Sequence, residues 1–219
     1  MGKIKLDIMG TNMKKLLLAV LCLQFTLTGL WAGPLKMLNV STPQFNCLFD
    51  TNCVLHSVDT TSTIHFNGAT GLPGLLTTRT WEGAIGTTLG GKFAYGYHID
   101  LARVMEANTN SYIDTLKVNA TSLVPFTFAG SVSNMVWVIT NSAGTVAPSS
   151  AMLIGPSLIF RFVPPLHVAT PGVKGQATLF FGVVSSMPST NSLATITGAQ
   201  AGNPPMPLNT NLWARSSRF

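Results

Sequence analysis

Three stretches of this chain carry residue types at spacings that could do chemistry. Gly86-Thr87-Thr88-Leu89-Gly90-Gly91-Lys92-Phe93 holds the G-x-x-x-x-G-K core of a phosphate-binding loop, in which backbone N–H groups and one Lys cradle phosphates. His98-Ile99-Asp100 places an imidazole and a carboxylate two apart. On a strand that spacing puts both on one face, and a distant His167 would complete a two-histidine, one-carboxylate metal triad. Glu82 beside Trp81 could be an acid next to a ring that stacks on a sugar.

Context argues against each. A working phosphate loop needs a buried strand before it and a helix after it, with a hydroxyl following the Lys for magnesium. Here RTWEGAI precedes, Phe93 follows Lys92, and the next residues alternate like a strand. GTTLGGKF therefore reads as a glycine-rich turn before a strand, and no nucleotide is expected. His98 and Asp100 sit where a half-buried strand carries its polar residues, and His167 lies in the turn-like PPLHVATPG. No metal or other cofactor is expected, with His98, Asp100 and His167 as the candidates if one binds. Glycoside hydrolysis needs a second carboxyl facing Glu82 across the bond, and Asp50, Asp59, Asp100, Glu106 and Asp114 offer no evident pairing. No nucleophile elbow, zinc-protease helix or catalytic cysteine context occurs, so no catalytic residue is assigned.

Ligand stacking is the remaining chemistry. Tyr95 and Tyr97 share the apolar face of their segment and Trp137 sits in the continuous run MVWVIT, which assigns all three to a core. Trp81 and Trp213 are then the rings free to stack on an extracellular polysaccharide.

The elements that must position these residues are strands. In FAYGYHIDL (93–101), Phe93, Tyr95, Tyr97, Ile99 and Leu101 alternate with small or polar residues, the period of a half-buried strand. Similar runs are VLHSV (54–58), STIHF (62–66), LLTTRTW (75–81), YIDTLKV (112–118), VPFTF (124–128), MVWVIT (135–140), SLIFRF (157–162), QATLFFGVVS (176–185) and LATIT (193–197). Gly, Pro and Asn turns separate them. LARVMEA (101–107) is the one helix candidate. The expectation is all-β: a single antiparallel sandwich of about ten strands over residues 33–198, immunoglobulin-like or jelly-roll.

The chain ends read differently. Lys3, Lys5, Lys14 and Lys15 precede an apolar run from Leu16 to Leu30, the pattern of an export signal ending near Ala32. With residues 1–32 removed, nine basic residues face six acids, a net charge of +3, scattered without a cluster. Nucleic acid is thus not an expected partner, and no membrane span remains. Cys47 and Cys53 are an even pair in an exported chain, which predicts a small disulfide loop. Residues 199–219 contain three prolines and no alternation, and read as a mobile tail.

The stretch SLIFRFVPPLHVATPGVKGQATLFFGVVSSMPSTNSLATITG resembles the closing half of exported bacterial β-sandwich domains of unassigned function. The shared elements are an F-x-F strand, a Pro-Gly turn, a phenylalanine-bearing strand and an A-x-I-T-G ending. The resemblance implies a protein outside the cytoplasm, at the cell surface or in the periplasm. The sorting helix that follows in such proteins has no counterpart in 199–219, and no catalytic residue carries over.

Only 9% of residues are charged, while Ser, Thr and Asn number 57 of 219. Such a chain offers little on its strand edges to discourage pairing with another chain. The expected function is a secreted, non-enzymatic structural or adhesive protein that self-associates by strand addition, through residues 33–46 or the tail. A carbohydrate-binding module is the alternative, and a secreted metal-dependent or glycoside-acting enzyme the third.

Overall fold

β-Branched and aromatic residues at period two build strands along nearly the whole chain. The computed structural model describes residues 33–54, 57–66, 69–105, 111–120, 122–133, 136–188, 193–199 and 212–213. Residues 1–32, where an export signal is expected, and most of the tail lie outside these. The strands are β1 (Gly33–Leu35), β2 (Met37–Val40), β3 (Ser57–Ile64), β4 (Thr70–Gly71), β5 (Gly74–Glu82), β6 (Phe93–Asp100), β7 (Val104–Met105) and β8 (Tyr112–Asn119). They continue with β9 (Phe126–Phe128), β10 (Ser131–Ser133), β11 (Val136–Ile139), β12 (Ser150–Ile154), β13 (Ser157–His167), β14 (Phe180–Ser185), β15 (Leu193–Ala199) and β16 (Leu212–Trp213).

Two six-stranded sheets form the sandwich. The first runs β1-β12-β13-β8-β15-β16 and the second β2-β11-β14-β6-β5-β3, with β9–β10 and β4–β7 as small ribbons. Inward residues of both sheets meet in one core. Tyr97, Ile99, Phe181 and Val138 of the second sheet lie against Leu116, Leu158, Phe160 and Ile196 of the first. The Phe160 and Phe181 rings cross edge to face at 4.7 Å, one of the aromatic contacts that knit the layers.

The all-β expectation holds, with three corrections. Pairing is not purely antiparallel, because β2 runs parallel to β11. Residues 33–40 are one extended segment that crosses between layers at Lys36: β1 pairs antiparallel with β12 in the first sheet, β2 parallel in the second. The expected helix at 101–107 is instead a turn and β7, with 106–107 outside the described residues. Its backbone groups are taken elsewhere: Leu101 N–H donates to Gln176 O, and Val104 O accepts from Ala169 N–H. Finally, the tail is not structureless throughout, since Leu212–Trp213 pairs antiparallel with β15.

Pro164 and Pro165 fall inside β13, a central strand, where prolines are normally excluded. They fit because the ladder to β8 is interrupted between Arg161 and Leu166. Among the described residues, no helix is long and apolar enough to cross a membrane.

Candidate functional site

The outward face of the second sheet carries most of the residues singled out above. Strand parity assigns Trp81, Arg79, Thr77 and Leu75 of β5 to this face, opposite Ala94, Gly96, His98 and Asp100 of β6. Phe180, Gly182 and Val184 of β14 and Trp137 and Ile139 of β11 share it. Its two halves differ sharply.

The part that reaches from β2 across to Trp81 at the end of β5 is a second apolar core. Gly96 and Gly182 are directly opposed on β6 and β14, and together form a floor on which the two indoles lie. A Cβ on Gly96 would stand 2.7 Å from both Trp137 Cη2 and Trp81 Cζ3, so only glycine fits beneath the rings. The indoles meet edge to face at 5.4 Å. Phe45 closes over them, 4.8 Å from Trp137 and 5.8 Å from Trp81, with Phe49, Phe126 and Leu89 completing the cluster.

The lid holds Phe49 inside the loop closed by the Cys47–Cys53 disulfide and Phe45 just before it. Backbone bonds tie it to the next loop: Ala84 N–H donates to Phe49 O, and Leu89 N–H to Leu48 O. Asn141 fastens its start, accepting from Thr42 N–H and donating to Thr42 O, both at 3.0 Å. The motif GTTLGGKF is this second loop. Gly83 N–H donates to Lys92 O and Gly91 N–H to Gly83 O, so its backbone is used for a turn that buries Leu89.

Both indole N–H groups and Asn46 Oδ1 are buried here without a hydrogen-bond partner. Each such orphan costs about 1–3 kcal/mol. Burying an indole contributes about 4–6 kcal/mol, taking roughly 150–250 Å² at about 25 cal/mol per Å². Apolar burial therefore wins, and the lid holds by packing rather than by polar contacts.

The half toward β3 is polar. Asp59 of β3 takes two hydrogen bonds from Arg79, Nε to Oδ1 at 2.7 Å and Nη2 to Oδ2 at 2.6 Å. The same guanidinium stands 4.4 Å from the Phe180 ring centroid. His98 stacks on Phe180 at 4.9 Å. Its Nδ1 lies 2.6 Å from Thr178 O, and a carbonyl only accepts, so Nδ1 carries the proton and Nε2 holds the lone pair in the neutral ring. Burial holds the His98 pKa below the ordinary imidazole value; nearby Arg79 acts the same way, and the Thr178 bond and Asp100 oppose. The neighbouring Asp100 carboxylate accepts from Ala102 N–H at 2.8 Å and so shapes the turn after β6.

The metal triad is not assembled. His98 and Asp100 point outward from the second sheet, whereas His167 follows the inward Leu166 on β13 and points outward from the first. Among the described residues, no three His, Cys, Asp or Glu side chains gather where an ion could sit. Trp81 is the second correction. At 2% exposure beneath Phe45 its ring offers no face to a sugar, because the lid occupies the place a ligand would take. Trp213 is placed by its backbone alone, opposite Leu193.

A feature missed from the sequence is the contrast among sheet edges. Each sheet ends in two strands: β1 of three residues and β16 of two, β2 of four and β3 of eight. The segments expected to donate strands are engaged within the molecule, 33–40 as β1 and β2 and 212–213 as β16. Among the described residues β3 pairs only with β5, and β16 lies beside it without pairing. It contains no Pro, Gly, Lys or Arg, and its one charge, Asp59, is engaged by Arg79. Natural proteins ordinarily protect so long an edge with such residues. The run VDTTST was the available signal.

Compared with known proteins, the chain matches no family model, no curated protein and no solved structure.

Proposed function

We propose that this is an exported, non-enzymatic structural or adhesive protein that associates with copies of itself by strand addition. The observation that carries this reading is β3, an eight-residue edge strand that has one paired neighbour among the described residues and no Pro, Gly, Lys or Arg to discourage pairing. A disulfide suits an oxidising compartment outside the cytoplasm. The basic, then apolar, start of the chain and the resemblance of its last third to exported sandwich domains favour the same location. The test is the mass of the full chain, as processed by the cell that expresses it, followed by light scattering as concentration is raised. Growth beyond one chain is the expected result. A monomer up to millimolar concentration overturns the reading.

A further inference from the structure

We propose that the end of the sandwich built from β4, β7 and the turn at 170–173 docks on an anionic lipid surface. This docking is independent of strand addition. Large apolar side chains remain exposed there on three neighbouring turns, Leu72 at 51%, Met105 at 49% and Val173 at 62%. The backbone ties these turns together. β4 and β7 pair antiparallel, Thr70 opposite Met105 and Gly71 opposite Val104. Ala169 N–H donates to Val104 O at 2.9 Å, and two bonds between Thr170 and Val173, at 2.9 and 3.0 Å, close the third turn.

Val104 is buried in the main core and plugs this end of the sandwich, while its neighbours Arg103 and Met105 are exposed. Gly71 has φ +100°, and a Cβ on it would stand 3.1 Å from Arg103 O, so the turns carrying Leu72 and Arg103 touch. Lys174 follows Val173 and is also exposed. Neither Arg103 nor Lys174 pairs with an acid among the described residues. Asp100, at the end of β6, is turned back to accept from Ala102 N–H at 2.8 Å, and Glu106 lies outside the described residues.

Apolar tips flanked by two unpaired cations match a bilayer with anionic headgroups. The tips enter the boundary between headgroups and acyl chains, and the long Arg and Lys stems let the charges stay level with the phosphates. A protein partner, including a second copy, fits less well. Three partly exposed side chains offer far less than the roughly 1,000 Å² that a stable protein interface buries, whereas a fluid lipid surface needs no such matched area.

The test is flotation of the full processed chain, with Cys47–Cys53 intact, on vesicles of phosphatidylcholine alone or mixed equally with phosphatidylglycerol. Flotation separates lipid binding from self-association. Wild type is expected to float with the mixed vesicles and to be released by high salt. Met105→Ser combined with Val173→Ser should weaken binding at least tenfold, and so should Arg103→Ala combined with Lys174→Ala. Ile85→Ser, at an almost fully exposed site beyond the other end of β5, should bind as wild type does. If the first pair lowers the melting temperature, the charge pair decides, because it removes no apolar packing. Wild type that does not float, or that floats equally well with both vesicle types, overturns the proposal. Loss of binding in Ile85→Ser with binding kept in both pairs puts the contact elsewhere and overturns it too. Pairs that reduce self-association of a protein that ignores vesicles would assign the patch to a second copy instead.

Discussion

The two sides of the second sheet solve opposite problems with the same strand chemistry. Toward β2, the outward face is covered and the edge strand is only four residues long. Residues 33–40 bridge the layers, the disulfide lid covers the outward face, and glycines on two strands make room for two indoles packed edge to face. Toward β3, the outward face carries an ion pair, a fixed imidazole and a run of threonines, and the edge is left unpaired among the described residues. At that side β16 comes alongside β3 without joining its sheet. One side is packed beneath a lid, and the other ends in a long strand with one paired neighbour among the described residues.

The comparison can be broken first on the closed side. Trp137→Ala should cost about 3–5 kcal/mol in urea unfolding, because the lid rests on this fully buried ring. Gly182→Ala should be comparably severe, since its new methyl would strike the Tyr95 carbonyl and stand 2.8 Å from Trp137 Cζ2. Either variant staying within 1 kcal/mol of wild type would mean the lid is dispensable. Next, replacing both Cys47 and Cys53 by Ser should lower stability by about 2 kcal/mol, the entropy of so short a loop. Trp81 and Trp137 fluorescence should then become accessible to an aqueous quencher before global unfolding.

The open side should respond less. Asp59→Asn removes a two-pronged ion pair whose side chains remain 39% and 25% exposed, so about 0.5–1 kcal/mol is expected, diminishing in high salt. A loss above 2 kcal/mol would show that the polar half carries the fold as the aromatic half does. The last effect is a slope. The folded state holds the His98 pKa low, so below about pH 6.5 the unfolded chain takes up a proton first. Stability should fall as pH drops from about 6.5 to the folded value, with no contribution above pH 7. His98→Asn should remove that part of the slope. An unchanged slope in the variant would show that burial of this ring does not matter.

Much of this was legible in the chain. The alternation of Phe93 to Leu101 put Tyr97 and Ile99 inward, and the Cys47/Cys53 spacing read as a closed loop, which the structure contains. What escaped reading depended on distant partners. Trp81 looked free because local pattern cannot reveal that Phe45, thirty-six positions earlier, packs over it. Gly96 and Gly182 were the available hint, since glycine inside a strand marks the close approach of something large. The 101–107 segment looked helical because its backbone partners are distant in sequence, in β4 upstream and in 169–176 downstream. β3 was read as two short strands because Asp59 to Thr61 interrupts the apolar pattern. At a sheet edge with little to bury, that pattern is not required.

The measurement that tests the contrast most directly is amide hydrogen exchange of the processed chain at low and high protein concentration. Protection of Ser57–Ile64 should rise with concentration while that of Met37–Val40 stays constant. If exchange along β3 does not change with concentration, or if protection is gained at β2 instead, the open and closed sides have been assigned wrongly.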